Sequence, residues 1–70
     1  MIPLMLADAG SVNLIRKIGG SAELKQHLAD LGFTVGTSVT VVNTVGGNVI
    51  VKVRDSRVAI SREMAQRIMV

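Results

Sequence analysis

The sequence of 70 residues contains no cysteine, no tryptophan, no tyrosine and only one proline. Without cysteine, the chain can form neither a disulfide nor a thiolate-ligated structural zinc site, so apolar burial must supply nearly all of its stability. Phe33 is the only aromatic residue. This excludes both the ring-lined grooves that bind polyproline and the aromatic platforms on which RNA bases stack.

What the chain does contain is aliphatic: 49% of its residues are hydrophobic, and 17 of the 70 are valine or isoleucine. Branching at Cβ stiffens these side chains and favours strands. The length allows one domain, so the sequence predicts a single mostly β domain over residues 1–70. No apolar stretch approaches the roughly 18 residues of a membrane span. Met1–Ala7 is too short and lacks the basic flank of a secretory signal, so we expect a cytoplasmic protein.

The net charge of +3 is unevenly distributed along the chain. Residues 1–45 sum to zero, whereas residues 46–70 carry five basic and two acidic residues and hold the whole excess. A basic surface of this kind can contact nucleic acid, anionic lipid or an acidic protein surface. It can also serve only to keep a hydrophobic domain soluble.

The best-delimited element is a helix over about residues 21–31. Ser21 is a suitable N-cap, and Glu23 lies near the positive end of the helix dipole. Gly32 suits the left-handed position that follows a helix. Leucines at i, i+4 and i+7 form one apolar stripe (Leu24, Leu28 and Leu31). We therefore expect a helix that packs this stripe against a sheet.

The rest of the chain predicts short strands. Residues 12–18 form the first, with a bend or bulge where the alternation breaks at Leu14-Ile15. Gly46-Gly47 predicts a tight hairpin between residues 37–45 and the alternating strand that follows. Further strands and a short helical turn capped by Ser61 come after. The sum is four or five strands, and closing the sheet into a small SH3-like barrel removes exposed edges.

Several segments resemble the FeoA family in order and spacing. The strongest match is residues 28–37, which contain a helix-ending Leu-x-x-Leu-Gly and a glycine four residues later. The other matching segments are 6–10, 18–20, 51–54 and 58–65, followed by Ile68 and Val70.

The resemblance implies an SH3-like β-barrel with an inserted helix. It also implies that the protein assists ferrous iron uptake by contacting FeoB, a large membrane transporter with a cytoplasmic GTP-binding domain. A related module occurs at the C-terminus of iron-dependent repressors. We expect no catalytic activity, no cofactor and no small-molecule substrate, and the oligomeric state stays open. The alternatives are a small nucleic-acid-binding barrel that uses the basic C-terminal part, or a divalent-metal sensing or delivery protein.

Two sets of residues are candidates for partner contact. Leu28 and Phe33 would form an apolar surface patch if the small barrel leaves them exposed. Lys52, Arg54 and Arg57 would form a basic cluster across a hairpin, if the strand register is as predicted.

A candidate metal set lies on the predicted helix. Glu23, His27 and Asp30 are spaced i, i+4 and i+7, so they share one helix face, and their side chains suit a divalent metal. The other interpretation is a polar helix face beside the leucine stripe. His27 is the only side chain that could act as a base near neutral pH, so no nucleophile, base and orienting group come together.

Overall fold

The structure is a computed structural model that describes all 70 residues. A one-turn 3-10 helix at Leu4–Leu6 precedes six strands and two α-helices. In chain order these are β1 (Val12–Leu14), β2 (Lys17–Ile18), α1 (Ala22–Asp30), β3 (Ser38–Val45), β4 (Asn48–Val53), β5 (Ser56–Ser61), α2 (Arg62–Arg67) and β6 (Ile68–Met69).

The strands form two antiparallel sheets. One has four strands in the order β1-β3-β4-β5, and the other pairs β2 with β6. The mostly β, SH3-like architecture is confirmed, but the hydrogen-bonded ladder is not closed and six strands replace the four or five expected. The expected single strand over residues 12–18 is wrong in one respect, because it divides between the two sheets.

The division occurs at the predicted bend. The Ile15 N–H donates to the Thr37 carbonyl at 2.9 Å, beside β3, while the Arg16 N–H donates to the Met69 carbonyl at 2.8 Å. Consecutive residues therefore bond to different sheets. The Ile15 side chain is fully buried between them, so the break in alternation at Leu14-Ile15 is the point at which the chain crosses the core.

Helix α1 begins and ends as the sequence indicates. The Leu24 N–H donates to the Ser21 side-chain oxygen at 3.1 Å, which satisfies one of the free donors of the first turn. At the other end, the Phe33 N–H donates to the Leu28 carbonyl and the Gly32 N–H to the Ala29 carbonyl. This pair of bonds is a Schellman motif, and Gly32 occupies its left-handed position with φ 103°.

The core is aliphatic except for one ring. β4 alternates cleanly, with Val49, Val51 and Val53 buried between outward-facing neighbours. The twelve buried residues form one cluster that joins both sheets and both helices: Leu4, Ile15, Leu28, Phe33, Val39, Val41, Val49, Val51, Val53, Ile60, Ala65 and Ile68. No polar or charged residue is buried, so the polar and charged side chains lie at the surface or at partly buried positions.

The two ends of the chain pair with each other. Ile2 and Val70 exchange backbone hydrogen bonds of 2.9 and 2.8 Å, and Pro3 forms a bridge with Met69. The Ser61 side-chain oxygen accepts from the Met64 N–H at 3.2 Å and begins α2, as the sequence predicts. α2 then leads directly into β6, which places the last residues beside β2.

Candidate partner-binding surface

The structure brings together two of the three residues of the predicted basic cluster, Lys52 and Arg57, on the β4–β5 hairpin. Lys52 lies directly opposite Arg57 in the antiparallel register, and both side chains are exposed. Arg54 and Asp55 form the two-residue turn that joins these strands. Residues directly opposite in a sheet point to the same face, so Lys52 and Arg57 project together from the outer face.

Arg54 has an unusual backbone conformation. Its φ is 55°, and it is the only residue other than glycine with a positive φ. The other two-residue hairpin turn, between β3 and β4, has a glycine at the corresponding place, Gly46 with φ 59°. The Arg54 side chain runs past Gly32, where its Cδ lies 3.6 Å from the position a β-carbon would take. The guanidinium stem thus lies along the C-terminal end of α1.

The register brings two exposed apolar side chains onto the same face. Val12 of β1 pairs with Thr40 of β3, and Thr40 pairs with Lys52, which pairs with Arg57. This row crosses the four-stranded sheet. Two residues further along β1, on the same face, Leu14 pairs with Ser38. We call this area the outer sheet surface: Val12, Leu14, Ser38, Thr40, Lys52 and Arg57.

The apolar side of this surface is well exposed. Val12 is 71% and Leu14 47% exposed, although the two are large aliphatic side chains. The sequence interpretation missed them because it placed both in one long strand and did not assign a face. Asn13 lies between them in β1 and pairs with Val39, which is buried. Because side chains alternate along a strand, Val12 and Leu14 must point to the opposite, exposed face.

The expected apolar patch of Leu28 and Phe33 is wrong. Both side chains have zero exposure and belong to the core. The Schellman motif explains why, since the left-handed turn at Gly32 folds Phe33 back toward Leu28. Neither residue is available to a partner in this fold.

The candidate metal set on α1 does not assemble either. No three His, Cys, Asp or Glu side chains lie close enough together to hold a metal ion, and this includes Glu23, His27 and Asp30. Asp30 instead accepts a hydrogen bond from the Gln26 amide at 2.9 Å. Glu23, His27 and Asp30 are all exposed on the helix surface.

One shallow cavity lies where β2, α2 and β6 meet. Its volume is about 270 Å³, below the roughly 300–1,000 Å³ of small-molecule sites. It is lined by Met1, Lys17, Gly19, Gln66, Arg67 and Met69.

Neither α-helix has the length and apolar character that a bilayer-spanning helix requires.

The chain is similar in sequence and in fold to proteins of iron uptake. A protein of Methanocaldococcus jannaschii, provisionally named Fe(2+) transport protein A, is 33% identical over 70 residues, which cover 100% of this chain and 85% of that protein. The crystal structure of an iron uptake regulatory protein, FeoA, has a TM-score of 0.87 at 28% identity and covers 96% of this chain and 89% of the other.

A manganese-dependent transcriptional repressor shares the fold alone. Its TM-score is 0.85 at 17% identity, over 94% of this chain and 38% of the repressor. The family comparison is the more specific, because the FeoA domain model matches residues 2–70. This chain, with its two small sheets and single inserted helix, belongs to the FeoA domain family.

Proposed function

We propose that this protein is a non-enzymatic accessory protein of ferrous iron uptake. It acts in the cytoplasm by contact with the cytoplasmic part of a FeoB membrane transporter. The observation that carries this proposal is the FeoA domain match over residues 2–70. The names of the two relatives, an Fe(2+) transport protein A and an iron uptake regulatory protein, support a role in iron uptake.

The surface chemistry is compatible with action through protein contact. A chain of this size offers few ways to bind a partner other than an exposed sheet face or edge. Here seven large hydrophobic side chains are more than 40% exposed: Met1, Ile2, Leu6, Val12, Leu14, Val35 and Val45. Exposed apolar side chains next to cations are typical of surfaces that bind another protein.

The proposal is tested by deleting the coding region and measuring uptake of labelled ferrous iron. We expect ferrous uptake to fall and to recover when the full chain is restored, whereas ferric uptake serves as the control and stays unchanged. In parallel, tagged protein should retain the transporter from solubilised membranes. Unchanged ferrous uptake together with no association would refute the proposed function.

A further inference from the structure

The outer sheet surface has two chemically different sides. Val12 and Leu14 form an apolar side on β1, and Lys52 and Arg57 form a cationic side on β4 and β5. Between them, the β3 residues that pair with Val12 and Leu14 carry small hydroxyl side chains, those of Thr40 and Ser38. Three strand spacings separate Val12 from Arg57, which is about 14 Å. The surface is therefore a shallow strip as wide as one extended or helical segment.

We propose that the outer sheet surface docks an acidic segment of a protein partner that also carries apolar side chains. This inference rests on the proposed function, because that function supplies a protein as the partner. The partner would contact the outer sheet surface, and this surface would recognise a segment with both carboxylates and apolar side chains.

The positive charge of the β4–β5 hairpin favours an acidic partner. Lys52 and Arg57 are like charges directly opposite each other, an arrangement that destabilises a sheet. None of the side-chain hydrogen bonds of the structure involves them or Arg54. With Asp55, the three cations leave a net charge of +2 on the hairpin (three minus one). A carboxylate from outside would remove this repulsion.

The apolar side of the surface favours a protein over a nucleic acid. Nucleic-acid backbones are recognised by cations and hydrogen-bond donors, and single strands by stacked rings. Val12 and Leu14 offer neither, and the only ring of the chain, Phe33, is fully buried. An acidic segment with apolar side chains uses both sides of the surface.

A purely structural explanation accounts for only part of this cluster. Exposed edge strands often carry a basic residue that discourages pairing with another chain, and Arg57 on the edge strand β5 fits that role. Lys52 does not, because β4 lies between β3 and β5. Arg54 does not either, since it lies in the turn and holds a left-handed backbone that glycine would adopt freely.

The first experiment measures binding of the full chain to the purified cytoplasmic region of the transporter by calorimetry. Lys52→Glu should weaken binding about tenfold, the factor that corresponds to about 1.4 kcal/mol. Its fold should remain intact, since the new carboxylate lies opposite Arg57. Leu14→Ser should weaken binding without changing its salt dependence.

Arg62→Glu is the matched control, because it makes the same charge change at the first residue of α2. That site follows Ser61 and lies at the opposite end of β5 from the basic turn. Binding by this variant should equal that of the native chain. Equal binding by Lys52→Glu would overturn the docking surface while leaving the proposed function intact, whereas no binding by the native chain would refute the proposed function.

The second experiment locates the surface independently of the transporter. Isotope-labelled chain is titrated with a synthetic amphipathic peptide of glutamate and leucine, and separately with a DNA duplex. Peptide-induced shifts confined to β1, the start of β3 and the β4–β5 hairpin support the inference. Shifts elsewhere, or none, overturn it. Tighter binding of DNA at these residues would replace the protein partner with a nucleic acid.

Discussion

At the scale of single residues, Arg54 combines an unfavourable backbone conformation with a side chain that lies beside the C-terminal end of α1. A left-handed backbone costs a non-glycine residue about 1–2 kcal/mol, and φ at Arg54 is 55°. The side chain passes Gly32 with its Cδ and Nε, and no side-chain hydrogen bond of the structure involves the guanidinium. No hydrogen bond of this side chain therefore offsets the backbone strain.

Arg54→Asn should therefore raise the free energy of unfolding by about 0.5–1 kcal/mol, since asparagine tolerates the left-handed region. For a domain of this size, the upper value corresponds to a Tm increase of roughly 4–8 °C. Urea and thermal unfolding measure the change. Thr44→Asn is the control and should lower stability, because Thr44 is an exposed residue of β3 and asparagine is disfavoured in an extended strand. An unfolding free energy for Arg54→Asn at or below that of the native chain would contradict the strain argument.

Phe33 shows what the sequence could and could not predict about single residues. Its hydrophobicity is evident, but its direction depends on the turn made by Gly32. That turn was predicted, and a Schellman motif commonly brings its second residue after the cap against the last helical turn. Applied to Leu28 and Phe33, this rule would have placed both in the core, where they are found. The local pattern therefore carries enough information to indicate that Phe33 is buried.

At the scale of elements, the start of each α-helix is determined by interactions between residues close in sequence. Ser21 and Ser61 each accept a hydrogen bond from the N–H three residues later. Both helices also carry a glutamate in the first turn, Glu23 and Glu63. Caps of this kind act within a single turn, so a sequence shows them reliably. Strand ends depend on the pairing partner and are harder to predict.

Ser61→Ala tests whether the short helix α2 depends on its cap. Removal of the acceptor for the Met64 N–H should cost about 1 kcal/mol of unfolding free energy, because six residues have little helical stability of their own. Chemical denaturation measures the loss. Ser56→Ala, at an exposed position without a side-chain hydrogen bond, should change stability by less than about 0.5 kcal/mol. Equal effects at the two sites would show that the cap does not hold α2.

At the scale of the whole molecule, the closing contacts were the least predictable. The sequence does not indicate which strand β6 meets. The partner is β2, because the chain changes sheets at Ile15 and Arg16. The same crossing decides which face of β1 is exposed and so creates the apolar side of the outer sheet surface. Half of the candidate site could therefore be predicted from the sequence. The position of the cations follows from the register of a hairpin, whereas the exposure of Val12 and Leu14 depends on the change of sheet at Ile15 and Arg16.

The stability of both sheets should depend on the C-terminal strand β6, which pairs with β2 and forms a bridge with Pro3. Removal of Met69 and Val70 eliminates at least three backbone hydrogen bonds, one from Arg16 to Met69 and two between Ile2 and Val70. At about 0.5–1.5 kcal/mol each, with partly buried side chains lost as well, the cost is roughly 2–5 kcal/mol. A chain of this length has only about 4–10 kcal/mol in total. Denaturant unfolding should therefore show a large loss of stability.

Hydrogen exchange distinguishes a cooperative loss from local fraying. Ile15 and Ile68 belong to the same buried cluster as Val39 and Val51 of the larger sheet, so the two sheets share one core. After the truncation, amides of β3 and β4 should exchange faster by the same free energy as the terminal amides. A chain that lacks only Met1, which is 73% exposed, should exchange like the native one. If the β3 and β4 amides keep their protection while only the amides near residues 2 and 16 exchange faster, the two sheets are separate units and the shared core does not couple them.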